Sequence, residues 1–247
     1  MVLRSFANGS LFAEVLGEGP PRILALHGWG RRGADFKPSL EGLPALAPDL
    51  PGFGASPPPT EVIGASGYAD ILVEMLDEFD EPPVLVGHSF GGRVAVCLAA
   101  QYPDRVGGLV LTGVPLLRRS SSKGPALGYR TIRWLNKVGV VSGERLEAEK
   151  RKRGSSDYRA ATGVMRDILV KVVNESYEDE LVAIRQDVTL LWGIADKEAP
   201  YDVAIAARDL RESAGLFVEL RAIEGEGHML PLTSPQDFRG AVEKALR

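Results

Sequence analysis

One cysteine, Cys97, stands alone among 247 residues, so no intrachain disulfide can form. The fold must be held by packing, and a reducing compartment is permitted. Histidine is almost as scarce: His27, His88 and His228 are the full set. Histidines so dispersed, with one thiol, give no metal-ligand spacing, and no metal is expected. No apolar run reaches the length of about 18 residues that a membrane-spanning helix needs. Met1 to Ser10 lacks the apolar core of a signal peptide, which makes a cytoplasmic protein the default expectation. The net charge of −4 gives no whole-protein attraction to nucleic acid. The glycine-rich loops lack the Lys-Ser/Thr of a phosphate-binding loop, so no cofactor is implied.

What is present is ordinary globular material, 45% hydrophobic and 25% charged. Asn8-Gly9 lies between the apolar runs Val2–Phe6 and Leu11–Leu16, a hairpin signal because both turn positions need positive φ. Strands are predicted at Ile23–Leu26, Leu46–Asp49, Val84–Val86, Leu109–Leu111, Val188–Trp192 and Phe217–Ile223, the first of them short and buried. Helical spacing of apolar residues predicts helices over Tyr68–Phe79, Val94–Ala100 and Phe238–Leu246. Buried strands alternating with helices predict an α/β fold, with a mostly parallel central sheet covered on both faces and the hairpin as an antiparallel edge.

Pro115–Asp187 breaks that alternation. It has no convincing strand and several helical patterns, among them Tyr129–Val138, Glu144–Lys152 and Tyr158–Val173. It holds fifteen bases against ten acids, a balance of +5, while the rest of the chain carries −9. The reading is a core of residues 1–114 and 188–247 with a helical lid inserted at 115–187. The Lys150–Arg153 run reads most simply as a solvated helix end, and more sharply as a docking site for an acidic partner.

Gly87-His88-Ser89-Phe90-Gly91 matches G-x-S-x-G and sits between a predicted strand and helix, the context that motif needs. A sharp turn there pushes the serine hydroxyl out above the sheet, and glycines on either side avoid clashes. The N–H of Phe90 falls at a helix N-terminus, where partial positive charge can meet an oxyanion. Serine needs a base with pKa near 7 within hydrogen-bond reach. His27 and His88 lie inside glycine-rich motifs, which leaves His228, on a loop beyond the last strand. Adjacent residues on a tight turn point apart, so His88 is expected to shape the pocket and not to act as base. The orienting carboxylate belongs near a strand end. Asp196, after Val188–Trp192, gives the order Ser89, Asp196, His228 expected for this motif. Glu198, two residues on, is the nearest competitor.

The elements HGWG, DLPGFG, GHSFGG, WG-x-x-D and G-x-GH, in that order over nearly the full length, resemble the α/β-hydrolase superfamily. The similarity extends to esterases, carbon–carbon bond hydrolases and acyl-carrier-protein methyl ester esterases. It implies a serine hydrolase, with the Trp29 N–H as a second oxyanion donor beside Phe90 and with His27 in a structural role. Some relatives place the acid after the strand that follows the nucleophile helix, but here that strand ends in Thr112-Gly113-Val114-Pro115, with no acid. The Asp49–Gly54 loop is read as structural, and Cys97 as a small buried hydrophobe. The expected activity is cleavage of a small carboxylic ester through an acyl-enzyme. The alternatives are a carbon–carbon hydrolase or lyase on the same triad and a ligand sensor that keeps the triad intact. Lid arginines of carrier-protein esterases imply, by resemblance, an acidic carrier protein as partner.

Overall fold

Five consecutive strands of the chain are buried at every position: β3 (Ile23–Leu26), β4 (Ala45–Asp49), β5 (Val84–His88), β6 (Gly108–Thr112) and β7 (Val188–Gly193). That is the mark of strands covered on both faces. In the computed structural model, which describes residues 2–118 and 156–247, they form the middle of an eight-stranded sheet. With β1 (Val2–Phe6), β2 (Leu11–Leu16) and β8 (Val218–Ile223), the order is β1-β2-β4-β3-β5-β6-β7-β8. All pairings from β4 to β8 are parallel, and the β1–β2 hairpin joins β4 antiparallel. The expected architecture is therefore the observed one. Parallel strands bring their carboxyl ends to one edge, where ligand sites of open α/β sheets collect.

The described helices are α1 (Lys37–Leu40), α2 (Ala65–Leu72), α3 (Phe90–Gln101), α4 (Ser156–Ala160), α5 (Gly163–Val172), α6 (Glu178–Ala183), α7 (Tyr201–Ser213), α8 (Leu230–Thr233) and α9 (Pro235–Ala245). Side chains alternate across a strand, and here they feed two cores. Leu24 and Leu26 of β3 join the layer containing Tyr68 of α2 and Val94 of α3. Ile23 and Ala25 join the opposite layer, with Phe36, Leu40 and Phe238. Cys97 is buried in the first layer, and burial pushes its thiol up to about 12.

Three local expectations shift. The hairpin turn places positive φ at Ala7 and Gly9, and the Ser10 N–H closes it on the Ala7 carbonyl, so it is not a two-residue Asn-Gly turn. The helix expected over Tyr68–Phe79 starts earlier, at Ala65, and tightens into a 3-10 turn at Val73–Glu78; Tyr68, Leu72, Met75 and Leu76 stay buried throughout. Tyr158–Val173 is two helices, with Gly163 at φ +52° where the second begins. The predicted helices over Tyr129–Val138 and Glu144–Lys152, and the Lys150–Arg153 run, lie outside the described residues. The described part of the insertion is tied to the core. Glu175 accepts the Ala65 N–H (3.1 Å), and Arg93 donates to the Val172 carbonyl.

Arg211 of α7 is fully buried and faces carbonyls instead of a carboxylate. Its donors reach Leu181 O (2.7 Å), Ile184 O (2.9 Å), Gln186 O (3.0 Å) and Phe217 O (3.0 Å), which uses the whole guanidinium fork. This stitches α6 and the approach to β7 onto α7. Arg211→Met keeps the bulk and removes the donor from four acceptors, of which Leu181 O and Ile184 O lie in buried bonds. Buried polar groups left unpaired cost 1–3 kcal/mol each, so a loss of at least about 2 kcal/mol is expected in denaturant unfolding. An unchanged midpoint would show that water satisfies those carbonyls.

Candidate active site

The strand-to-helix turn at Ser89 is strained as the motif requires. Ser89 has φ 51° and ψ −115°, one of two non-glycine residues with positive φ among those described. A Cβ on Gly87 would lie 2.4 Å from the Gly92 Cα, so only glycine lets the strand and helix cross this closely. The turn is held by the Ser89 N–H donating to the Thr112 carbonyl (3.0 Å) on the neighbouring strand end. Ser89 is partly accessible. Among the described residues its hydroxyl has no hydrogen-bond partner.

Asp196 and His228 meet above the same edge. His228 Nδ1 lies 2.8 Å from Asp196 Oδ2, and the Asp196 side chain is 1% exposed. The other oxygen, Oδ1, accepts the N–H groups of Glu198 (2.8 Å) and Ala199 (2.9 Å). The Asp196 turn is pinned below by Trp192, whose indole N–H donates to Ala199 O (2.7 Å). Glu198 takes a different place from the one expected of a competitor. Its carboxylate, 72% exposed, sits 3.5 Å from His228 Nε2, the opposite ring nitrogen. The two acids therefore flank one imidazole and are not interchangeable.

Gly113 is a candidate-site residue that motif reading passed over. It has φ +59°, and a Cβ there would lie 2.9 Å from His228 Nδ1 and 3.3 Å from Asp196 Oδ2. The same strand end thus supports the Ser89 backbone at Thr112 and the His228–Asp196 pair at Gly113. The available signal was a glycine directly after a buried strand, in the stretch set aside for lacking an acid.

His228 feels opposing influences. Burial works against its charged form, but the Asp196 hydrogen bond and charge, with Glu198 and Asp157 adding, outweigh it and raise the pKa above 6.5. His27 and His88 behave in the opposite way. Burial lowers His27 to about 4 and His88 to about 3. His27 is a neutral strut: Nδ1–H donates to Gly28 O (2.8 Å), and Nε2 accepts the Leu50 N–H (2.9 Å). It joins the Gly28–Gly30 loop to the Asp49–Gly54 loop. Asp49 holds that second loop by accepting the Gly33 and Ala55 N–H groups, each at 2.8 Å. His88 does not face the nucleophile; its Nε2 is 2.9 Å from the His228 carbonyl.

The N–H groups of Trp29 and Phe90 have no acceptor among the described residues, and Phe90 opens α3, where the first amides lack intrahelical acceptors. The two side chains touch, with ring centroids 5.3 Å apart. Phe53 (5.0 Å from Trp29) and Tyr68 (4.9 Å from Phe90) extend an aromatic wall beside Ser89. Met165 of α5 reaches the Tyr68 hydroxyl at 4.0 Å, so the insertion borders this wall.

A family model described as the alpha/beta hydrolase family matches residues 23–241. Lipase LipV of Mycobacterium tuberculosis is 35% identical over 173 residues, which is 67% of this chain and 59% of that protein. A pimeloyl-(acyl-carrier protein) methyl ester esterase of Chromobacterium violaceum is 41% identical over 106 residues, 41% of this chain and 40% of that protein. The biotin biosynthesis bifunctional protein BioHC of Cellvibrio japonicus is 35% identical over 241 residues, 90% of this chain and 47% of that protein. The chain thus spans about half the length of these curated relatives. Among solved structures, the esterase EaEST of Exiguobacterium antarcticum superposes with a TM-score of 0.72 at 17% identity, covering 99% of this chain and 98% of that one, a likeness of fold. With six of the eight strands and all five motifs inside the matched range, the chain belongs to the alpha/beta hydrolase family.

Proposed function

We propose that this chain is a serine hydrolase that cleaves a small carboxylic ester through an acyl-enzyme. The observation that carries the reading is a serine at positive φ and a partly buried Asp196–His228 hydrogen bond, both set against Thr112-Gly113. Ser89 Oγ attacks the ester carbonyl while His228 Nε2 takes the hydroxyl proton. The Trp29 and Phe90 N–H groups hold the oxyanion, and His228 returns the proton to the departing alcohol. Water then attacks the acyl group, His228 takes its proton, and Ser89 leaves with it. Asp196 keeps Nδ1 protonated throughout. The Ser89–His228 hydrogen bond forms with substrate, since such contacts are commonly loose in unliganded sites. The names of the curated relatives, a lipase and methyl ester esterases, support an ester over a carbon–carbon bond.

The test is a panel of p-nitrophenyl esters of increasing acyl length, run beside a diketone, a thioester and a methyl ester on an acyl carrier protein. Ester turnover with a pre-steady-state burst is expected. Diketone cleavage alone would move the reading to a carbon–carbon hydrolase, and binding without turnover to a sensor. The 115–187 insertion, read as a lid, carries +5, and that excess supports an anionic, carrier-linked acyl group as the natural substrate. For the carrier ester, kcat/KM is expected to fall as salt shortens the Debye length to about 10 Å at 0.1 M, with little change for a neutral ester. Equal salt responses would leave the basic insertion as a solvated surface.

The pH profile follows from the flanking acids. His228 must be neutral to accept the serine proton, so activity is lost as pH falls through its pKa. That pKa is raised, which sets the acid limb of kcat/KM above 6.5. Glu198→Gln removes one of the raising charges. The limb is expected to move to lower pH with the plateau nearly unchanged. A collapse of the plateau in that variant would give Glu198 a larger role than electrostatic tuning.

A further inference from the structure

The residue before the candidate nucleophile has no part in the mechanism above, yet it is 4% exposed and its ring lies against that of His228. We propose that His88 is a positioning residue that fixes the base against the nucleophile by donating its Nε2–H to the His228 main-chain carbonyl. This rests on the serine-hydrolase reading and extends it.

The contact is 2.9 Å, and the two imidazoles lie 4.9 Å apart, tilted by 52°. A carbonyl can only accept, so the bond requires the Nε2–H tautomer of His88. The base loop after β8 has a second anchor, the Ala195 N–H donating to Glu226 O (2.8 Å). One anchor therefore ties the loop to the turn that carries Asp196. The other ties it to His88, which is peptide-bonded to Ser89. Through this second tie, any displacement of the elbow is shared by the base, and the Ser89–His228 register is held before substrate arrives. A donor here must also stay uncharged while His228 becomes an imidazolium during turnover. Burial and the neighbouring His228 charge meet that need by keeping His88 neutral, with its pKa lowered to about 3.

The chain has three histidines, so ring nitrogens are separable by NMR with 15N-labelled histidine. In the resting wild type, His88 is expected as an Nε2–H tautomer that does not titrate across the neutral range. A 1 Å misplacement of catalytic groups can cost about 10²-fold. His88→Leu is thus expected to lower kcat for a p-nitrophenyl ester by about 10- to 100-fold. KM should hold, and fluorophosphonate labelling of Ser89 should slow in parallel. His88→Gln, which keeps a donor at similar reach, is expected to recover most of the loss. An Nδ1–H tautomer, a His88 that titrates like free imidazole, or Leu and Gln variants that behave alike would overturn the proposal. Wild type that shows neither turnover nor Ser89 labelling is a different failure. It removes the hydrolase reading, and the tautomer then decides alone whether His88 holds His228.

Discussion

Ser89→Ala is expected to leave the chain folded and to lower ester turnover by about 10⁶-fold, the loss seen when a serine protease forfeits its nucleophile. The size follows from how the site is built. The aromatic wall, the Gly28–Gly30 loop and the α3 amides stay in place without the hydroxyl. Binding and oxyanion stabilisation therefore persist, and covalent catalysis is what disappears. Folding should be insensitive, because Ser89 Oγ has no hydrogen-bond partner among the described residues and the elbow is held by main chain, Ser89 N–H to Thr112 O. Alanine at φ 51° is no better suited than serine, so no strain is relieved. A fluorophosphonate should label the wild type once, at Ser89, and leave the variant unlabelled. Labelling that survives in the alanine variant would assign the nucleophile elsewhere.

The fold was legible because its strands are short, apolar and bounded by glycine or proline, and because parallel strands buried on both faces leave that pattern and few others. A candidate site could be named where chemistry restricts the residue type. Three histidines, two of them inside glycine motifs, left His228 as the expected base by elimination, and the structure places its ring against Asp196. What did not show in the sequence depends on direction. Nothing in Gly87-His88-Ser89 says that the His88 ring turns under the base loop, since that requires knowing where β8 delivers residue 228. Nothing in Asp196-Lys197-Glu198 says that the two acids address opposite nitrogens of one ring. Gly113 was passed over because its contribution is an absent Cβ, visible only once His228 and Asp196 stand over it. The helix over Tyr68–Phe79 ended differently for a related reason. Spacing of three and four residues fits α and 3-10 geometry alike over one turn, so periodicity could not register the tightening at Val73.

Asp196→Asn is expected to lower kcat by about 10⁴-fold, as in the comparable protease triad, with the fold intact. The geometry states why the amide would be worse than a missing charge. Oδ1 of Asp196 accepts two main-chain N–H groups, from Glu198 and Ala199. An asparagine must keep its oxygen there, because its NH₂ against two donors would leave three donors facing one another. The NH₂ is then forced toward His228 Nδ1, where the carboxylate Oδ2 now lies at 2.8 Å. A donor at that position demands an unprotonated Nδ1, which moves the ring proton to Nε2. His228 would then point an N–H at Ser89 and could not accept the serine proton. Glu198 cannot compensate, since its carboxylate lies on the Nε2 side. The same substitution removes the strongest influence raising the His228 pKa, so the imidazole should titrate at lower pH than in wild type. Ring-nitrogen shifts of His228 should report the switched tautomer directly. Asp196→Asn within about tenfold of wild type, beside a Glu198→Gln variant that loses several orders of magnitude, would transfer the orienting role to Glu198.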